Sequence, residues 1–187
     1  MGRIGRIPLI VAIVFTLSFA RAVDAEACGP RVEVRFVDDS GGDWFQIENT
    51  SQETWSIRAL TIVLAGSSGH LVFDTAASGE GASMHTPFEV IGGEGVGYLG
   101  ATLVDDGSDA VTLTFSDFLP GRSFDFIVDV DDRLADSDLG QAYVTGREIE
   151  GAQVNADMVT ENGRRAWVRG EFRVDGDATL GDGGLCA

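Results

Sequence analysis

The chain has 187 residues, 30 of them acidic and 13 basic, for a formal charge of −17; it contains no lysine, so every basic side chain is an arginine. A field of that sign excludes nucleic acid and anionic membrane surfaces as natural partners and favours cations, with solubility as the plainer reading. The length suits one domain with a substantial core, and two cysteines are too few for a thiolate metal cluster.

Residues 1–25 read as a secretory signal. Arg3 and Arg6 give a positive start, Leu9 to Ala20 is apolar but short for a bilayer span, and Ala20, Ala22, Ala25 and Ala27 supply small residues. Cleavage after Ala22 or Ala25 fits the small-x-small pattern. The second leaves residues 26–187 and, by removing Arg3, Arg6, Arg21 and Asp24, a charge of −19. The arginines are not a twin pair, and Ala25 stands where an acylated cysteine at position 28 would want leucine. No later apolar run approaches spanning length, so the expected product is secreted, extracellular or periplasmic, without a membrane span. In an oxidising compartment Cys28 and Cys186 read as a disulfide joining the two ends of the domain, with two free thiols as the alternative.

Arg31 to Val37 alternates, with Val32, Val34 and Phe36 on one face, and predicts a first strand. After the turn-rich Asp38 to Asp43, Trp44 to Glu48 resumes the period of two with Phe45 and Ile47 inward. Asn49-Thr50-Ser51 is both a turn and a glycosylation sequon. Between Trp55 and Leu64 the apolar phase switches from odd to even positions, which a one-residue bulge near Arg58-Ala59 explains. His70 to Phe73 reads as a short buried strand, and Thr75 to Ser83 as loop.

Phe88 to Ile91 and Val96 to Leu99 are predicted strands around the bend Gly92 to Gly95. Val111 to Phe115 alternates and leads through Phe118-Leu119-Pro120-Gly121, where proline and glycine preset a reversal. Phe124, Phe126, Val128 and Val130 then share one face of a strand, and Asp125, Ile127, Asp129 and Asp131 the other. Ala142 to Thr145, Ile149 to Val154 and Trp167 to Val174 are the remaining predicted strands, the last with Val168, Phe172 and Val174 inward, followed by a glycine-rich tail. About ten short strands with no sustained helical period predict an all-β, single-domain antiparallel sandwich of immunoglobulin-like or jelly-roll-like Greek-key type.

From Phe118 to Phe124 the chain resembles the corner between the fifth and sixth strands of fibronectin-III and related immunoglobulin-like modules. Phe124 stands where that corner often has tyrosine, so its hydroxyl bond is missing. Phe45 to Thr50, Leu71 to Asp74, Pro87 to Glu89, Asp106-Gly107, Pro120-Gly121, Val128 to Asp132 and Glu148 to Val154 resemble, in order, the blocks of bacterial aggregation factor core proteins. That resemblance implies an exported protein with calcium-assisted adhesion, meeting a protein or glycan at a cell surface.

Asp129, Asp131, Asp132 and Asp136 are the first candidate cation site. The first two project from one strand face about 7 Å apart, and a following turn would fold Asp132, Asp136 or Asp138 toward them. Clustered carboxylates without histidine or cysteine suit calcium, although the spacing is not that of an EF-hand; a solvated acidic strand end is the alternative. Asp105, Asp106 and Asp109 form a second candidate. His70 and His85 lie in no nucleophile or metal motif, so no catalytic residue is assigned. Trp44 and Trp167 fall on the polar phase of their strands and are candidate binding residues. The sequence thus points to a non-enzymatic adhesion or aggregation protein, with a carbohydrate-binding module and then a glycoside hydrolase as alternatives.

Overall fold

The computed structural model describes residues 29–39, 42–52, 54–77, 79–81, 85–133 and 144–181. Among the described residues, eleven strands form two antiparallel sheets packed as a sandwich, as the alternating sequence predicts, and one sheet is strongly curled. The first sheet orders β11 (Asp177–Leu180), β1 (Val32–Val37), β2 (Asp43–Asn49), β8 (Ser123–Asp132) and β4 (Leu71–Asp74), with β5 (Glu89–Gly92) also paired to β8. The second orders β10 (Arg165–Glu171), β9 (Gln153–Val159), β3 (Ser56–Val63), β7 (Ala110–Phe118) and β6 (Tyr98–Ala101).

Alternation places one face of each strand inside. Phe36, Phe45, Phe124 and Phe126 from the first sheet meet Phe115, Phe118 and the Phe172 that follows β10. Phe45 stacks on Phe126 at 4.9 Å and Phe115 sets its edge to Phe124 at 5.1 Å, arrangements that add to simple burial. The predicted bulge is present: β3 shifts register between Ile57 and Ala59 against both β7 and β9. Such a shift lets Ile57 and Leu60 both face the core.

The Pro120-Gly121 turn carries the chain from β7 in one sheet to β8 in the other. Gly121 has φ +75°, the value a glycine supplies at that turn position. Asn49 secures this corner from below: its Nδ2 donates to the carbonyls of Trp55 (2.7 Å) and Phe118 (2.8 Å), and its Oδ1 accepts from the Ser51 N–H. The sequon asparagine is wholly buried, so its amide is not available to a glycosyl group in the folded chain.

Three expectations change. Gly146–Ile149 is a single helical turn, α1, closed by a Thr145–Glu148 capping box, and the strand predicted from Ile149 begins only at Gln153. β10 ends at Glu171, and Val174 is exposed where an inward position was expected. The glycine-rich tail contributes β11, which pairs with β1 in the register Val32 to Leu180. That pairing sets Pro30 beside Gly181, so the two described ends of the domain meet. Cys28 and Cys186 themselves lie outside the described residues, as do Ala142, Tyr143 and residues 1–25.

Candidate metal centre

β8 is paired along one edge with β2 and along the other with β5 and then β4. The β4 register sets Asp74 opposite Asp129 and Val72 opposite Asp131. Residues opposite each other in an antiparallel pair project to the same side, and so do residues two apart on one strand. Asp74, Asp129 and Asp131 therefore share the face turned away from the aromatic core. Each offers a carboxylate oxygen, and the three oxygens lie within 4.8 Å of one another. Asp74 and Asp131 are buried and Asp129 is half-buried.

Carboxylates held this closely repel, and burial removes the water that would screen them. Burial is the main cause that pushes Asp74 up to about 8, helped by its contacts with the Asp106 and Asp131 carboxyls. Asp129 rises to about 6 through burial and then the charge of Asp131. On the neighbouring β2, Asp43 rises to about 9, again through burial first and the charge of Asp129 second. It does so although its Oδ2 accepts the Val130 N–H at 3.0 Å.

Among the described residues, the N–H that reaches Asp74 Oδ1 is that of Ala76, at a long 3.4 Å. Its Oδ2 is buried and receives no donor among the described residues. A buried carboxylate oxygen without a donor needs either a proton of its own or a cation. The loop after β4 is shaped to leave it room: a Cβ on Gly81 would stand 2.7 Å from Asp74 Oδ2.

Asp106 organises that loop. It accepts the N–H groups of Thr75 (3.0 Å), Ala76 (3.1 Å) and Glu80 (2.9 Å). Burial pushes Asp106 up, but these donors and the Asp74 carboxyl outweigh it and hold the group below its usual value. Arg133 closes the outer side through Glu80 (2.9 Å) and the Gly107 carbonyl (2.9 Å).

The acidic triad can hold a metal ion, and it joins two of the four residues predicted for such a site to one that was not. Asp132 takes the opposite face of β8, across from Leu71, and its Oδ1 lies toward Gly69 instead. Asp136 and Asp138 lie outside the described residues. Asp105, Asp106 and Asp109 do not gather into a cation site: Asp105 and Asp109 are exposed and Asp106 serves the loop. Asp74 was missed because its pairing to Asp129 is a matter of strand register. The available signal was that both Leu71-Val72-Phe73-Asp74 and the β8 run end in aspartate.

The two candidate tryptophans separate. Trp44 lies half-buried on β2 in the first sheet, whereas Trp167 is 74% exposed on β10 in the second. They do not form one platform. His70 and His85 are exposed and neither joins the acidic group.

Compared with models of protein families, with curated proteins and with solved structures, the chain has no match.

Proposed function

We propose that the protein is an exported, non-enzymatic β-sandwich of adhesive or aggregating role, stiffened by one calcium ion held by Asp74, Asp129 and Asp131. The observation that carries this reading is the buried Asp74 carboxyl facing two further aspartates with no donor for its Oδ2 among the described residues. The donor set is all oxygen, which favours a hard cation over zinc or copper. Calcium takes six to eight oxygens in flexible geometry and accepts bidentate carboxylates, whereas magnesium prefers a strict octahedron with several waters retained. Three carboxylates crowded at a strand end suit the former.

Burial argues for a structural role over a catalytic one. Asp74 and Asp131 have essentially no exposed surface, so a substrate has no route to the pair a glycosidase would need. Joining β4 to β8, the ion would instead fasten the sheet where three like charges crowd together. The ordered blocks resembling aggregation factor core proteins support the adhesive part of the reading.

The test is thermal unfolding and bead clustering on chelator-stripped protein. Calcium at about a hundredfold its dissociation constant should add about 2.7 kcal/mol and raise the melting temperature by about 5–10 °C. Beads coated with the protein should cluster only with calcium, and Asp131→Asn should abolish both effects. A melting temperature indifferent to calcium sinks the metal reading, and clustering that persists in chelator sinks the calcium-assisted adhesion.

A further inference from the structure

The loop that follows β4 does more than leave room for Asp74. Gly79, Glu80 and Gly81 lie as a short strap against the end of that strand, and Gly81 is buried beside the Asp74 side chain. A Cβ on Gly79 would run into the Asp106 carboxylate, and one on Gly81 would stand 2.7 Å from both Cβ and Oδ2 of Asp74. Side chains at either place would hold the strap off. Within the triad Asp129 alone keeps partial exposure, while Asp74 and Asp131 are covered.

The strap has two fastenings of unequal strength. On the inner side the Glu80 N–H donates to Asp106 Oδ2 (2.9 Å), on a carboxylate that also holds the N–H groups of Thr75 and Ala76. The turn carrying Asp106 is itself tied to β4: the Gly107 N–H donates to the Phe73 carbonyl and the Phe73 N–H to the Ser108 carbonyl, both at 2.9 Å. On the outer side the Glu80 carboxylate passes over Gly107, where a Cβ would overlap Glu80 Cγ, and meets Arg133 Nη1 at 2.9 Å. Arg133 directly follows β8, two residues beyond Asp131. The side chains of that ion pair are 31% and 50% exposed. An exposed ion pair is weak and screened by salt, so the outer fastening opens first.

We propose that the Glu80–Arg133 ion pair is a latch on this strap and sets the rate at which calcium enters and leaves the triad. With the latch shut, Gly81 lies against Asp74, and an ion held by Asp74 cannot shed that ligand until the strap moves. With the latch open, the strap lifts and Asp74 is free to turn toward the half-buried Asp129 and the solvent beyond it. The pair touches neither the ion nor its three ligands, so it governs the barrier to exchange and leaves the balance between bound and free calcium as it is. The inference rests on the calcium reading proposed above and adds to it a control on exchange that loosens as ionic strength rises.

The experiment is stopped-flow release of calcium from the loaded protein into an excess of a fluorescent chelator, with the dissociation constant measured in parallel by calorimetry. In Glu80→Gln release should quicken about two- to fivefold, the factor an exposed ion pair carries, while the dissociation constant changes less than about twofold. Arg133→Gln, which also loses the bond to the Gly107 carbonyl, should quicken release at least as much. The ratio of variant to wild-type rate should shrink toward one in about 1 M sodium chloride, where the pair is screened. Glu33→Gln, which breaks the equally short Arg31–Glu33 pair at the start of β1, should release calcium at the wild-type rate. A wild-type rate in Glu80→Gln, or equal acceleration in Glu33→Gln, would overturn the latch and leave calcium binding standing. A dissociation constant that weakens as much as release quickens would also overturn it, since Glu80 would then contribute to affinity. A wild-type protein that takes up no calcium would overturn the latch and the metal reading together.

Discussion

Asn49 does at the Pro120-Gly121 corner what a tyrosine hydroxyl does at the tyrosine corner of immunoglobulin-like sandwiches. Phe124 has no oxygen to offer, and the chain reversal is pinned from the other side, by an amide that reaches two carbonyls on segments far apart in sequence. The corner backbone also bonds to Asn49 directly, Gly121 N–H to its carbonyl at 2.8 Å and its own N–H to Arg122 at 3.1 Å. Asn49→Ala should therefore leave the carbonyls of Trp55 and Phe118 buried without donors and cost about 3 kcal/mol in chemical denaturation. A loss below about 1 kcal/mol would mean that water or relaxed backbone replaces the amide. The role was hidden in the sequence because Asn49-Thr50-Ser51 announces a turn and a glycosylation sequon, and local pattern says nothing of carbonyls on other strands.

The strands themselves were legible because their inward faces are so uniformly apolar. Phe124, Phe126, Val128 and Val130 can be inside only if Asp125, Asp129 and Asp131 are outside, and the phase switch at Arg58 forces a bulge. What alternation cannot reveal is which strand lies beside which. β4 and β8 are separated in sequence by β5, β6 and β7, so the Asp74 to Asp129 pairing that completes the triad is invisible in either segment alone. β11 escaped notice for a different reason: Asp177-Ala178-Thr179-Leu180 is short and set among glycines, and its strand state is imposed by β1. The loop between β4 and β5 is likewise shaped from a distance, by Asp106. Asp106→Ala should release the N–H groups of Thr75, Ala76 and Glu80, lower stability by about 2 kcal/mol and weaken cation binding at the adjoining Asp74. Urea unfolding with and without calcium reads both effects, and a variant indistinguishable from wild type would show that Asp106 does not hold the loop.

Taken together, Asp43, Asp74 and Asp129 make the whole sandwich a proton-binding body. Their folded values of about 9, 8 and 6 lie above the 3.8 of the unfolded chain. Between these limits the folded state holds protons that the unfolded state has released, so the stability of the metal-free protein falls as pH rises from about 4 through 9. A cation replaces those protons, so calcium should stabilise more at pH 9 than at pH 5. Melting curves across that range check the sign, and a metal-free protein that grows more stable toward pH 9 would show the carboxylates to be charged and satisfied without an ion. The most direct test of the account is calorimetric titration of chelator-stripped protein with calcium chloride, in parallel with Asp74→Asn. The account predicts one calcium per chain in the wild type and none in the variant; absence of heat in the wild type, or undiminished binding after Asp74→Asn, would contradict it.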